Sequence, residues 1–182
     1  MVCLAVAGGG RAEEATSRPA NWAQPVVVAG IGNCHRVTTN LYRGAQPTAE
    51  GLKHLQALGV KTVISLRDLH SDKDVVAGTG LKLVRLKMEP WHSDEDEVVR
   101  FLRAATDTNN VPVFVHCERG ADRTGTMCAM YRIVVCGWTK EQALDEMKRG
   151  GFGFNPLWQN LVYFIEKADI AEIKRRAGLA EK

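Results

Sequence analysis

No apolar run in these 182 residues approaches the ~20 that a membrane-spanning helix requires, so stable membrane insertion is not expected. Cysteine is scarce and scattered. Cys3, Cys34, Cys117, Cys128 and Cys136 neither cluster nor repeat, which argues against a disulfide scaffold. No group of His and Cys has metal-ligand spacing, and the expectation is a protein with no metal and no cofactor. Charge of one sign is also in short supply. A formal net charge of +3 is too small to indicate nucleic acid or a membrane surface, although it is compatible with an anionic ligand. Neither repeats nor low-complexity tracts interrupt the chain. What remains is an ordinary globular composition, 45% hydrophobic and 25% charged, in a chain long enough to bury a sizeable core as one domain, expected to be a monomer.

The stretch that organises the rest is HCERGADRTG, His116 to Gly125. Before it, VPVFVH (Val111 to His116) is apolar and β-branched with a proline at its entry, and predicts a short buried strand. After it, RTGTMCAMYRIVV spaces apolar residues at helical intervals and predicts a buried helix, with Cys128 and Cys136 as small core residues. The intervening residues form a strand-to-helix loop whose N–H groups, with those of the first helical turn, can face an anion. A thiol there is favoured as thiolate. The same N–H ring would hold phosphoryl oxygens above the sulfur. Arg123 adds a planar fork for two of those oxygens. The Thr124 hydroxyl is placed to bond the sulfur, and Gly120 and Gly125 allow close backbone approach.

His116, Cys117, Gly120, Arg123, Thr124 and Gly125 together resemble the P-loop of cysteine-dependent protein tyrosine and dual-specificity phosphatases: His-Cys, five residues, Arg, then Ser or Thr. A second stretch, LYRGAQPTAEGLKHLQALGVKTVISLRD (Leu41 to Asp68), is similar to one in bacterial and in fungal or plant atypical dual-specificity phosphatases. The resemblance implies Cys117 as nucleophile, Arg123 as transition-state clamp and His116 in support. It also implies substrate binding by Glu118, Arg119, Gly120, Ala121, Asp122 and Thr124.

Residues 1–25 carry the least structural signal and read as a flexible leader or the remnant of a trimmed export signal, so the location is cytoplasmic or exported to a periplasm. The catalytic domain is expected over 26–176 with a C-terminal tail over 177–182, and the basic end KRRAGLAEK (Lys174 to Lys182) is expected to fray. Order is expected from Asn33 onward. Thr48 predicts an N-cap for a helix with Leu52, Leu55 and Leu58 inward and Gly59 as stop. KTVISL predicts a buried strand, with Arg67 at its end pairing a carboxylate near the P-loop. HSDKDVVAGTG reads as a loop or irregular helix, and LKLVRLKM as a half-exposed strand. VVRFLRAATD predicts a helix starting near Ser93 or Asp94. Thr139 with Gln142 predicts a capping box, with Gly150-Gly151 closing that helix. A last helix opens at Asn155-Pro156 and carries Leu157, Leu161, Phe164, Ile165 and Ile170. The sum is an α/β fold, a single domain with a central, mostly parallel sheet flanked by helices and the P-loop between a strand and a helix.

Phosphoester cleavage needs a proton donor for the leaving oxygen. Candidates are Glu89, Asp94, Glu95 and Asp96, with Asp94 preferred at the junction of loop and helix. In the resembled family an upstream Asp serves, and Arg85 stands about where it would be counted. Trp91 and His92 flank this loop. The expected activity is phosphomonoester hydrolysis through a cysteinyl-phosphate on phosphotyrosine, phosphoserine or phosphothreonine of proteins. The alternative substrate is a phosphoinositide or inositol phosphate, which Asp122 and Arg119 favour. Two readings from other classes are a non-catalytic phosphate-binding module and a rhodanese-type sulfur transferase.

Overall fold

The computed structural model describes residues 18–89 and 91–180. Three short strands open the chain: β1 (Gln24–Pro25), β2 (His35–Arg36) and β3 (Leu41–Gly44). Helix α1 (Ala49–Ala57), strand β4 (Thr62–Arg67), the short helix α2 (Lys73–Val76) and strand β5 (Lys82–Met88) follow. Then come α3 (Glu95–Thr106), β6 (Val113–His116), α4 (Asp122–Val134), α5 (Lys140–Arg149), α6 (Gln159–Lys167) and α7 (Ile170–Ala177). The sheet runs β1-β2-β3-β6-β4-β5. The first three strands are antiparallel, while β3, β6, β4 and β5 run parallel. Strand β6 is thus central, flanked by β3 and β4.

Alternation along β6 sends Phe114 to one face and Val113 and Val115 to the other. Phe114 packs with Leu52 and Leu55 of α1, Val63 of β4 and Val76 of α2. Val113 and Val115 join the larger core built with α3 through α7, including Phe101, Met127, Leu144, Leu161 and Ile173. A strand covered on both faces has no polar side to present, which is why Val113, Phe114 and Val115 are all apolar.

The predicted caps form. The Thr48 hydroxyl accepts from the Gly51 N–H at 3.1 Å, and Gly59 follows α1 with a φ of +85°. Thr139 and Gln142 make the reciprocal capping box of α5.

Several expectations need correction. Strand β6 starts at Val113, because Pro112 has no N–H for the ladder. Order begins well before Asn33: Arg18 donates to the carbonyls of Ala23 and Gly150, and Ala23 N–H donates to the Glu146 carboxylate. The part of the predicted leader at residues 18–25 is therefore packed on the domain, and residues 1–17 lie outside the described residues. Leu58 caps α1 and stays 44% exposed, and Leu157, counted in the last apolar stripe, is 85% exposed. Cys136 lies just past the end of α4 and is only half-buried. The last helix is two. Asp169 caps α7 by accepting from Glu172 N–H at 3.0 Å, so the D-x-x-E pattern restarts the helix after Ala168. The basic segment predicted to fray is helical to Ala177, where Arg176 pairs with Glu95 and Asp96. Residues 181–182 of the predicted tail lie outside the described residues.

Candidate active site

The P-loop joins the carboxyl end of β6 to the amino end of α4, the crevice where open α/β sheets take ligands. Cys117 is 3% exposed and shares a cavity of about 180 Å³ with Glu118, Arg119, Asp122, Arg123 and Trp158. Among the described residues, no amide N–H from Glu118 to Thr124 donates to a protein acceptor. These donors, at the positive end of a helix, are available to an anion. Arg123 turns its Nη1 toward the carbonyls of Met88, at 3.3 Å, and Leu66, at 3.5 Å. It also lines a second cavity of about 180 Å³ with Arg67, Asp68, Leu69, Glu89, Trp91 and Glu118.

The loop is held from behind. Gly120 has a φ of +70°, and a Cβ there would collide with the backbone of Gly44 and Ala45. Arg43, on β3, is fully buried. Its Nη2 donates to the Gly120 carbonyl at 2.7 Å, and its guanidinium stacks 3.7 Å from the Phe152 ring centre. Burial lowers the Arg43 pKa, and neighbouring Cys128, Glu146 and Cys117 pull it back up. Asn33 donates to the Arg119 carbonyl at 3.1 Å and to the Phe152 carbonyl at 2.8 Å. Arg119 and Gly120 thus turn carbonyls back into the body, which leaves the loop amides facing the cavity. Cys128, by contrast, is fully buried, and burial raises its pKa to about 11, so it stays an inert thiol.

His116 is fully buried. Its Nδ1 lies 2.9 Å from the Cys117 carbonyl and its Nε2 3.3 Å from Oδ2 of buried Asp72. Gln46 ties this support together: its N–H donates to the Glu118 carbonyl at 3.1 Å and its Nε2 to Asp72 at 3.3 Å, while its Oε1 accepts from Arg67. Arg67 also pairs with Glu118 at 3.3 Å, which is the predicted carboxylate near the P-loop. Burial alone would raise the Asp72 pKa, but His116, Ser65 and His70 outweigh it and hold the carboxyl at about 2. That lies below the ~3.9 of an unfolded aspartate. The stabilisation is therefore complete above about pH 4 and lost as pH falls toward 2, and amounts to roughly 2 kcal/mol. Asp72→Asn is expected to lose most of it at about pH 7 and little at about pH 2, read from denaturant unfolding curves at both values.

The predicted site residues divide. Cys117, Glu118, Arg119, Asp122 and Arg123 line one cavity. Asp122 is also a brace, its carboxylate accepting from Asn155 N–H at 2.8 Å and from Arg119 at 2.9 Å. The Thr124 hydroxyl is buried and makes no hydrogen bond among the described residues, to sulfur or otherwise. Asp94 lines neither cavity beside the P-loop. Its carboxylate accepts from Glu97 N–H at 2.7 Å in the capping box of α3, so the feature that suggested a proton donor is a helix cap. Glu95 and Asp96 face Arg176. Of the four candidates, only Glu89 lines the cavity that holds Arg123. Sequence reasoning did not reach Asp72, Arg43, Gln46 or Trp158 as parts of the site. Among the described residues no three His, Cys, Asp or Glu side chains are grouped to hold a metal ion, and no helix is long and apolar enough to cross a membrane.

Comparison with known proteins agrees with this geometry. A family model described as "DSP-PTPase phosphatase fused to NAD+ Kinase" matches residues 17–162. The dual specificity protein phosphatase TpbA of Pseudomonas aeruginosa is 40% identical over 166 residues, covering 87% of this chain and 72% of that protein. A crystal structure of a Cys-to-Ser variant of the Pseudomonas aeruginosa protein in complex with phosphotyrosine superposes with a TM-score of 0.79. Its identity is 34%, over 91% of this chain and all of that one. The core catalytic domain of a PP-IP phosphatase from S. cerevisiae, in complex with citrate, gives a TM-score of 0.73 at 26% identity, over 84% of this chain and 94% of that one.

Proposed function

Because the chain belongs to the cysteine-dependent dual-specificity phosphatases, we propose that it hydrolyses phosphotyrosine, phosphoserine and phosphothreonine esters of proteins through a cysteinyl-phosphate. The observation that carries this reading is the single cavity in which Cys117 and Arg123 meet under undonated loop amides. The Cys117 thiolate attacks phosphorus in line, forming the S–P bond as the ester O–P bond breaks. The loop amides and Arg123 take up charge on the equatorial oxygens, which those donors need no reorganisation to do. The departing oxygen takes a proton from a carboxylic acid. The resulting carboxylate then removes a proton from water as its oxygen attacks phosphorus, so the S–P bond breaks and inorganic phosphate and thiolate are released.

For the acid we propose Glu89. It follows directly on Met88, whose carbonyl accepts from Arg123, and among the described residues it makes no ion pair or side-chain hydrogen bond. Asp68 lines the same cavity but faces Lys87 at 3.5 Å. The apolar walls favour an aromatic ester: Trp158 stands beside Cys117, while Trp91, 60% exposed, and Leu69, 98% exposed, stand beside Arg123. An inositol phosphate is the second reading, favoured by Arg67 and Arg119 at the rim. Both are already paired, with Glu118 and Asp122, which weighs against it.

The test is hydrolysis of an aryl phosphate in EDTA, followed by a panel of phosphopeptides and inositol phosphates. Turnover undiminished by EDTA, with phosphopeptides preferred, is the expected result. Activity restored only by added divalent metal would end the thiolate reading, and preference for inositol phosphates would replace the substrate.

A further inference from the structure

Helix α6 begins at the catalytic cavity and leads away from it. Trp158, its N-cap, lines the cavity of Cys117. Asn160, Tyr163, Phe164 and Lys167 then follow at the spacing of one helical face, and all line a groove of about 370 Å³. Trp91, His92, Ser93 and Glu95 line it from the other side, Glu95 being paired with Arg176, and Trp91 also lines the cavity that holds Arg123. The groove is therefore tied to the cavity of Arg123 through Trp91, and helix α6 leads to it from Trp158 in the cavity of Cys117. Asn160 closes its floor by donating to the Trp91 carbonyl at 2.6 Å.

Three features of the groove are unused by the fold. Tyr163 is 61% exposed, an unusual position for a large ring on a helix whose other face supplies Leu161 and Ile165 to the core. Ser93 is only 7% exposed, yet its hydroxyl has no hydrogen-bond partner among the described residues. Lys167, at the far end, lies 5.5 Å from the Tyr163 ring centre and pairs with no carboxylate among the described residues.

We propose that this groove binds the polypeptide of the phosphoprotein substrate on one side of the phosphoresidue, taking a bulky apolar side chain against Trp91 and Tyr163 and a carboxylate at Lys167. The inference rests on the phosphoprotein reading above. The spacing follows from the helix: its nine residues at ~1.5 Å each span about 13 Å. An extended peptide advances ~3.3 Å per residue, so the acidic residue should stand about four positions from the phosphoresidue. The backbone of such a peptide would supply a partner for the Ser93 hydroxyl. An aromatic wall with a polar end is a common form of peptide anchor.

The experiment compares wild type, Tyr163→Ala and Lys167→Glu, both substitutions being at exposed positions, on an aryl phosphate and on phosphotyrosine peptides. The peptides carry Leu or Ala near the phosphoresidue, and Glu or Lys about four positions away on either side. Wild type is expected to prefer the Leu, Glu peptide about tenfold in kcat/KM over its Ala, Lys counterpart. Tyr163→Ala should erase the Leu preference through KM, Lys167→Glu should reverse the Glu preference, and neither should change turnover of the aryl phosphate. If wild type cleaves all peptides alike, or if both variants keep its preferences, the groove is not a peptide site. If wild type cleaves the aryl phosphate but no phosphopeptide, the phosphoprotein reading falls and the groove's occupant falls with it.

Discussion

Cys117→Ser is expected to lower turnover on the order of 10⁴-fold or more, in a protein that unfolds at the wild-type temperature and still binds vanadate or phosphate. The exchange changes one atom at a position 3% exposed, so packing is nearly preserved. It leaves intact the loop amides, Arg123 and the backing by Arg43, Asn33 and Gly120, which are the groups proposed to bind the phosphoryl oxygens. What it removes is the proposed sulfur nucleophile, since a serine hydroxyl is a weaker one and the cavity's carboxylates, Glu118 and Asp122, are paired with Arg67 and Arg119. Single-turnover hydrolysis of an aryl phosphate, with calorimetric titration of vanadate, separates the two effects. Turnover within tenfold of wild type would end the covalent mechanism. Loss of vanadate binding together with turnover would mean that the sulfur holds the loop in shape rather than attacking.

The second large effect is on the leaving group. Glu89→Gln is expected to slow hydrolysis of phosphoserine and other alkyl phosphates about 10²- to 10³-fold, and that of an aryl phosphate with an acidic phenol much less. An acidic phenol departs as its anion, whereas an alkoxide requires the proton. The plot of log kcat against leaving-group pKa should therefore steepen in this variant. Asp94→Asn, in contrast, should leave the slope alone and cost about 1 kcal/mol of stability through the weakened cap of α3. A steepened slope in Asp68→Asn but not Glu89→Gln would move the proton donor one strand over, to the end of β4. The same result in Asp94→Asn would require the loop before α3 to turn its cap inward during the reaction.

These assignments show what a linear sequence can display. The P-loop is contiguous: the proposed nucleophile, the proposed clamp and the helix start lie within one stretch, so local pattern and proposed chemistry coincide. The burial of β6 and the caps at Thr48 and Thr139 were legible for the same reason. The supports were not, because each comes from a different element. Asp72 sits in a polar stretch that looks like any loop, and only the pairing of β4 with β6 brings that stretch to His116. Arg43 shares the face of buried Leu41 in β3, where an apolar residue would ordinarily stand, and nothing local marks a charged side chain as buried. At Asp94 a helix cap and a proton donor call for the same residue type at the same kind of junction, and what the structure shows there is the cap. The last helix was read as one because apolar spacing continues across Ala168, while the break is made by the short-range bond of Asp169.

The contact of Gly120 with Gly44 and Ala45 has a consequence for how such an enzyme can change over generations. A side chain at 120 would strike backbone, and one at 44 would press on the Phe114 ring at 2.9 Å. No neighbouring side chain can shrink to make room for the first, so a single substitution at Gly120 has no accommodating partner. The rim is under no such constraint: Glu118 and Arg119 keep side chains 65% and 63% exposed. Descendants of this chain are therefore free to exchange their substrates by altering the rim, but inherit the phosphate cradle whole or not at all.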